Sequence, residues 1–382
     1  MLVHVQHREA GGEDVVVAAE SELLRAAGHD VEVCQLTNPE GAAALGVFAK
    51  APWNRSAARP IVERMRSFGP DVVHVHNTWF ALSLSIVNAL RACHVPIVMT
   101  LHNYRAMCID GTLLRDGQIC TACVGAHATN GILHGCYRDS RTASAVAGAS
   151  LEIAARREVW ANVDVFIAPT AQLRAQHIAH GFDPEAILVK PHFVEDPGVR
   201  ALPPSAARDY VFAGRLAPGK GVVSLLRAWK LANLGDDVRL HLIGDGPLRA
   251  QVDSEAISSV DVVGRRDVAQ TRRAIGNARA FLFPSQWLEP FGVVLIEALS
   301  AGTPVLGYAT ADTAAIVGAG GRTVAAGDEA ALAQLIRSTD GEQLDVLGLG
   351  ARETYERRFT PQTNLPQLLH AYATAIEHNA LR

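Results

Sequence analysis

The sequence predicts an α/β protein built from two parallel-sheet domains. Three observations carry this expectation. Short apolar runs alternate with helix-period segments through both halves of the chain, as when strands are joined by helical crossovers. The stretch from Pro191 to Ala207, with Pro197, Pro203 and Pro204, has little periodicity and reads as a linker between the halves. The 382 residues suffice for two independent cores. The first domain is expected over 1–195 and the second over 208–360.

In chain order, the strand candidates of the first half are Leu2–Gln6, Val31–Leu36, Val72–His76, Ile97–Leu101, Val163–Ala168 and Ile187–Val189. Between the first two lies an apolar-periodic helix, Glu13–Ala27, ended by Gly28. Gly11-Gly12 forms a turn at the carboxyl end of the first strand. An insertion follows the fourth strand at about 103–140, and its Leu114-Arg115-Asp116-Gly117 suggests a hairpin. A long helix is expected over Ser140–Trp160, packed on its own domain or touching a membrane surface. The second half offers strands at Tyr210–Ala213, Val238–Ile243, Val260–Val263, Ala280–Phe283 and Pro304–Gly307. No internal repeat is visible.

Composition narrows the function. The formal charge of −4 supplies no basic field of the kind nucleic-acid binding needs. No stretch reaches the roughly 18 uncharged apolar residues of a membrane span. The start, Met1-Leu2-Val3-His4-Val5-Gln6, already reads as a strand rather than an export leader. The expectation is a cytoplasmic chain, with peripheral membrane contact left open, whose six cysteines are reduced.

Two stretches carry chemistry. In Pro284–Ala298 a buried strand ends at Pro284-Ser285 and a helix opens near Phe291-Gly292. Glu289 then sits on the loop at the carboxyl end of the strand, where open α/β sheets bind ligands, and Glu297 lies about two turns into the helix. Backbone amides around Phe291, Gly292, Val293 and Val294 would attract phosphate. The plainer reading is a strand-turn-helix with two solvated carboxylates. The second stretch, Val211-Phe212-Ala213-Gly214-Arg215-Leu216-Ala217-Pro218-Gly219-Lys220-Gly221, is a strand running into a Gly-rich turn and a helix. Arg215 and Lys220 there offer two cations for a diphosphate. It matches neither a Walker loop nor a dinucleotide G-x-G-x-x-G.

Together, G-R-L-x-x-x-K-G followed by E-x7-E resembles the donor-sugar domain of the family-4 glycosyltransferases of the GT-B fold, and the resemblance extends over essentially the whole chain. It implies two Rossmann-like domains facing across a cleft, with a C-terminal helix, 361–382, packed back on the first. It also implies a retaining transfer of a sugar from a nucleotide-diphosphate sugar. Arg215 and Lys220 would hold the diphosphate beside Gly12 and Gly214. Backbone at Gly264 would hold the base, and Glu297 the ribose. Glu289 with Phe291, Gly292, Val293 and Val294 would grip the donor sugar. His102, in Thr100-Leu101-His102-Asn103-Tyr104-Arg105, would contact that sugar near the reacting carbon, or merely cap a loop. Gly11, Gly12 and, more weakly, Arg105 would face the acceptor. No cofactor is implied for the chemistry. The donor is expected to be a UDP-sugar, with a GDP-sugar second. The acceptor is expected to be a glycan or lipid-linked glycoconjugate, with a small natural product as the alternative.

Several residues stay open on sequence alone. His74 reads as a satisfied core histidine, while His76 could line the site. Trp287 either narrows the sugar pocket or covers the core. Cys108, Cys120, Cys123 and Cys136 include a single C-x-x-C, which leaves structural zinc, free thiols and disulfides all standing. Rival functions are a phosphorylase, a nucleotide-sugar epimerase and a non-catalytic sugar-nucleotide binder. The chain is short for the first, and the paired motifs argue against the second.

Overall fold

The computed structural model describes residues 1–6 and 11–382. The chain divides into two compact units. One takes in Met1–Arg115, Cys120–His192 and Asn364–Arg382; the other takes in Phe193–Thr363 with Asp116–Ile119. Among the described residues each unit holds one six-stranded sheet, and every pairing within the two sheets is parallel.

In the first unit the strands are β1 (Leu2–Gln6), β2 (Val33–Thr37), β3 (Val73–Val75) and β4 (Ile97–Thr100). The insertion follows with a small hairpin, β5 (Leu114–Arg115) and β6 (Gln118–Ile119), and then come β7 (Val165–Ala168) and β8 (Ile187–Val189). The hairpin turns on Asp116 (φ 52°) and Gly117 (φ 76°), the double positive φ of a type I′ turn. The sheet order is β2-β1-β3-β4-β7-β8, so the winding direction reverses between β1 and β3. β3, β4 and β7 are buried along their whole length, as parallel strands covered on both faces must be. The helix Gly12–Ala26 covers one face through Val16, Val17 and Leu24, and it ends on Gly28 at φ +88°. There the amides of Gly28 and His29 bond the carbonyls of Arg25 and Leu24, a Schellman closure. From Asn364 on, the last helix, Pro361–Ala380, belongs to this unit and lends Leu368, Ala371, Tyr372 and Ala375 to its core.

The second unit has β9 (Tyr210–Ala213), β10 (Leu240–Ile243), β11 (Val260–Gly264), β12 (Ala280–Phe283), β13 (Val305–Tyr308) and β14 (Gly321–Val324), in the order β11-β10-β9-β12-β13-β14. Its reversal lies between β9 and β12. Two apolar clusters fill its core, one around Leu225, Trp229 and Leu282 and the other around Phe281, Leu295 and Leu299.

Two elements differ from expectation. The helix read as Ser140–Trp160 stops at Arg156. Glu158 turns left-handed at φ 49°, and the amides of Glu158 and Val159 bond the carbonyls of Ala155 and Ala154, so a Schellman motif forms without a glycine to announce it. That helix buries Ser144, Ala147, Gly148 and Ala154 in its own unit. The other difference is β14, an edge strand of sequence Gly-Arg-Thr-Val that is only half-buried and lacks an apolar signature. Among the described residues, no helix is long and apolar enough to cross a membrane.

Candidate functional site

The two chemistry-bearing stretches of the second unit leave β9 and β12, the strands on either side of its reversal, so both loops emerge where a doubly wound sheet opens a crevice. After β9 the chain makes a single tight turn, Pro218–Lys220, and passes Gly221 at φ +70° into the helix Val222–Ala232. A Cβ at Gly221 would stand 1.8 Å from the carbonyl oxygen of Pro284, so backbone rests directly on backbone here. The amide of Gln286 donates to the Gly219 carbonyl (2.9 Å) and the Ser285 hydroxyl reaches the same oxygen (3.4 Å), tying the loops together.

This stitching brings Lys220 onto Glu289. The ammonium donates to both carboxylate oxygens, at 2.8 and 2.7 Å, and both side chains keep some solvent contact. The Trp287 indole N–H donates to Oε2 of Glu289 (2.6 Å), and the Ser285 hydroxyl stands 3.3 Å from the same oxygen. The Lys220 ammonium also lies over the Trp287 ring, 5.1 Å from its centre. Trp287 therefore orients the carboxylate, a role sequence reading did not give it. Gly292, at φ +80°, caps the helix Val293–Ser300, whose first amides, including Val293 and Val294, have no carbonyl four residues back within the helix. Phe291 is buried beside it in the core.

Glu297 is mostly buried, and its Oε1 accepts from Nε of Arg272 at 2.9 Å. Burial pushes its carboxyl above the usual range, with Arg272 opposing. Arg272, on the helix Val268–Gly276, escaped sequence reading because nothing in the local pattern marks it. Arg215 is exposed, and its side chain has no polar partner among the described residues. The Gly214 amide donates to the Ile243 carbonyl, and the carbonyl of Gly264, at the end of β11, accepts from the Gly244 amide, both at 2.9 Å. The glycine turns ending β9, β10 and β11 are thus laced together by backbone.

In the first unit the ends of β3 and β4 supply His76 and His102. Nδ1 of His76 and Nε2 of His102 lie 3.0 Å apart, and the His102 ring stacks on His192 at 5.4 Å. With Thr78, Trp79, Met99 and Arg105, these two histidines line a cavity of about 80 Å³. Burial lowers the pKa of His102, against the pull of Glu13 and Glu20, so the imidazole is neutral at pH 7. Behind it lies a buried ion pair, Lys190 Nζ to Glu20 Oε1 at 2.9 Å, with the side chains 2% and 1% exposed. The other Glu20 oxygen stands 3.6 Å from His76 Nε2 and 3.7 Å from His74 Nδ1. Burial pushes Glu20 up, but Lys190 and His76 outweigh it and leave it lowered. Glu20, His74 and His76 are near enough to hold a metal, yet the site is already filled. Lys190 supplies the cation, and both His74 nitrogens are engaged, by Tyr372 (3.0 Å) and Thr100 (2.7 Å). His74 is the satisfied core histidine expected from the sequence.

Gly11 is the N-cap of Gly12–Ala26, with its amide on Asp14 Oδ2 (2.7 Å), and Gly12 is the first helical residue rather than part of a turn. The difference arises because Asp14 caps the helix backwards and draws both glycines onto it. The Arg105 guanidinium donates to the carbonyls of Ile109 (2.8 Å) and Asp110 (3.0 Å) and stacks on Trp79, which commits it to shaping the insertion. Cys108, Cys120, Cys123 and Cys136 line a single small cavity in that insertion.

Comparison with known proteins agrees with this arrangement. A family profile described as "Glycosyl transferase 4-like domain" matches residues 11–192, and one described as "Glycosyl transferases group 1" matches 207–339. The chain is 27% identical over 386 residues to a phosphatidyl-myo-inositol mannosyltransferase of Mycobacterium leprae, covering 95% of this chain and 93% of that one. It is 28% identical over 340 residues to D-inositol 3-phosphate glycosyltransferase 1 of Catenulispora acidiphila, covering 80% and 73%. Among solved structures, Anabaena Alr3699/HepE in complex with UDP and glucose superposes with a TM-score of 0.66 at 17% identity, over 97% of this chain and 99% of that one. Two parallel doubly wound sheets, the G-R-L-x-x-x-K-G and E-x7-E loops at one switch point, and profiles matching both halves establish that the chain belongs to the family-4 glycosyltransferases of the GT-B fold.

Proposed function

We propose that this glycosyltransferase takes a sugar from a nucleotide-diphosphate donor and transfers it, with retention at the anomeric carbon, to a hydroxyl of a lipid-linked or cell-surface glycoconjugate. The observation that carries the reading is the Lys220–Glu289 pair at the β9/β12 switch point. Breaking the bond to the leaving group places negative charge on a diphosphate. Arg215, Lys220 and the amides opening Val293–Ser300 are cations and donors suited to neutralise it. When the diphosphate draws Lys220 away, Glu289 keeps its Trp287 and Ser285 donors and is freed to accept from sugar hydroxyls. Glu297, oriented by Arg272, is assigned to the ribose hydroxyls. His102, held neutral by burial, is assigned to the donor sugar as positive charge develops on it. No step in this scheme calls on a divalent ion. A front-face substitution assisted by the departing phosphate follows, because no second carboxylate is assigned as a nucleophile.

A UDP-sugar is the favoured donor, supported by the similarity to a protein solved with UDP and glucose; a GDP-sugar is second. The relatives named for phosphatidyl-myo-inositol and for inositol 3-phosphate favour a cyclitol hydroxyl as acceptor, lipid-borne in the first reading and a small molecule in the second. A lipid-borne acceptor would bring the chain to a membrane surface.

The test is a thermal-shift and hydrolysis screen with UDP, GDP, dTDP and their sugars, run beside Lys220→Ala. One nucleoside diphosphate should stabilise the protein and be released slowly from one sugar donor. Loss of Lys220 should reduce that turnover by about 10²-fold or more, the scale of one oriented charge donor. A folded Lys220→Ala protein with undiminished turnover would remove the diphosphate site from these loops.

A further inference from the structure

The insertion between β4 and the helix Arg141–Arg156 holds a feature that sugar transfer does not use. Its four cysteines come from three separate pieces of chain. Cys108 lies in the turn after Tyr104, Cys120 and Cys123 follow the β5–β6 hairpin, and Cys136 follows the short helix Thr129–Leu133. All four stand on the wall of one cavity of about 20 Å³, together with Ile109, Leu113 and Arg115. None is paired in a disulfide. We propose that Cys108, Cys120, Cys123 and Cys136 form a structural metal site for one Zn²⁺.

Backbone hydrogen bonds position three of the four residues before any metal arrives. The amide of Cys108 donates to the Tyr104 carbonyl (2.8 Å), that of Cys120 to Leu113 (2.8 Å), and that of Cys136 to Gly131 (3.0 Å). Cys120 and Cys123 are three apart across a turn, the spacing that lets two sulfurs share one ion. As they stand, the sulfurs are splayed: among the described residues, no three of them come within 4.8 Å of one another. A loaded site with Zn–S near 2.3 Å holds its sulfurs roughly 3.8 Å apart. A single χ1 step moves a cysteine sulfur by roughly 3 Å, so side chains already facing the cavity need only change rotamer to close on an ion.

The need for such a staple follows from the packing. The apolar cluster that anchors the insertion buries Ile109, Ala128, Tyr137 and Ala147, the last contributed by the following helix, and Tyr104, Met107 and Leu113 are buried near its start. The run Gly117–His127 between these anchors buries only Cys123. A small loop-rich segment of this kind is normally held by cross-links or a metal. Four neighbouring thiols would leave it loose, whereas four thiolates on Zn²⁺ join all three pieces. Binding exchanges thiol protons for the ion, with Arg115 nearby to offset the negative charge of the tetrathiolate. The cysteine cavity is separate from the one bounded by His76 and His102, with Ile109 on the wall of both, and no cysteine lines the latter, so the role of the site is to fix the insertion rather than to take part in transfer.

The full-length protein, purified without chelator, is assayed for metal by plasma mass spectrometry and for thiols before and after denaturation in the presence of a zinc-binding dye. The proposal expects about one zinc per chain, with the four insertion thiols protected until the dye captures the metal. Cys123→Ser should lose the zinc, while Cys34→Ser, outside the insertion, should keep it. Because Cys123→Ser could fail to fold, the wild-type metal and thiol counts stand as the deciding measurement. Wild-type protein with no metal and four reactive insertion thiols, or with a mass lower by two hydrogens from a disulfide among them, overturns the proposal. Nucleoside diphosphate binding is scored separately on the same preparations, so failure of the zinc site and failure of the donor site are distinguishable.

Discussion

Lys190 and Glu20 pose the sharpest question at the scale of single residues, because burying two charges is favourable only when each fully satisfies the other. Their 2.9 Å contact joins residues 170 positions apart and sits directly behind the His76–His102 pair. Removing one partner strands the other in a low-dielectric interior. Lys190→Met should therefore destabilise the first unit by about 3–5 kcal/mol, the usual cost of breaking a buried pair. Adding Glu20→Gln should recover much of that loss. Denaturant unfolding of the single and double variants measures the coupling, and strictly additive effects would show that the pair is not a unit. The second carboxylate pair behaves differently. Lys220–Glu289 keeps solvent access on both sides, as suits a contact that must open when a diphosphate arrives, and the same argument predicts little stability change on its loss.

Between residues and the molecule lie the loops, and their positions depend on close backbone approach. Gly221 combines a left-handed φ of +70° with a Cβ position 1.8 Å from a carbonyl oxygen, so Gly221→Ala must displace the Lys220 turn from the end of β12. We expect a loss of roughly 2–4 kcal/mol, from left-handed strain plus a clash that backbone must absorb, and a fall in turnover comparable to that of Lys220→Ala. Gly235→Ala is the control, because Gly235 shares the positive φ (+90°) but has nothing near its Cβ position. If the two alanines cost the same in melting temperature and activity, the backbone approach is not what aims Lys220. This element shows how much of the site was legible. The strand-loop-helix frames around β9 and β12 were readable because short apolar runs and glycine turns are local signals. Lys220 and Glu289 were each legible as ligand-facing groups at strand ends, one for a diphosphate and one for a sugar, but their contact with each other was not. Arg272 on Glu297 and Lys190 on Glu20 were not readable, since each depends on how distant segments meet in space, and Trp287 on Glu289 was not because it depends on the path of a loop that no local pattern fixes. The break at Glu158 and the polar edge strand β14 were missed for a related reason: no glycine or proline marks the turn at Glu158, and β14 shows no apolar alternation.

For the molecule as a whole, the placement of buried histidines makes the first unit the acid-sensitive one. His74, His76, His102, His177 and His192 all belong to it, and burial lowers the pKa of each, His177 to about 4. A base whose folded pKa lies below its unfolded value near 6.5 is fully stabilising above 6.5. As pH falls below that, the unfolded chain takes up protons the folded chain refuses, and stability declines until the folded pKa is reached. For His177 the window runs from 6.5 to about 4, at about 1.4 kcal/mol per pH unit. The lowered Glu20 acts in the same direction further down, as pH falls from its ordinary value of 4.5 through its folded value. In the second unit Glu297 opposes this trend, because its raised pKa favours the folded form on acidification. Hydrogen exchange at pH 7 and pH 5.5 should therefore show protection lost across 11–192 before 193–363. His177→Leu removes one titrating group whose Nε2 has no partner, at the cost of the 2.8 Å bond from Nδ1 to the Leu173 carbonyl. It should flatten the slope of stability against pH by about 1.4 kcal/mol per unit between 6.5 and 4. Equal loss of protection in both units, or an unchanged slope in the variant, would mean that burial of these imidazoles does not set the acid response of the protein.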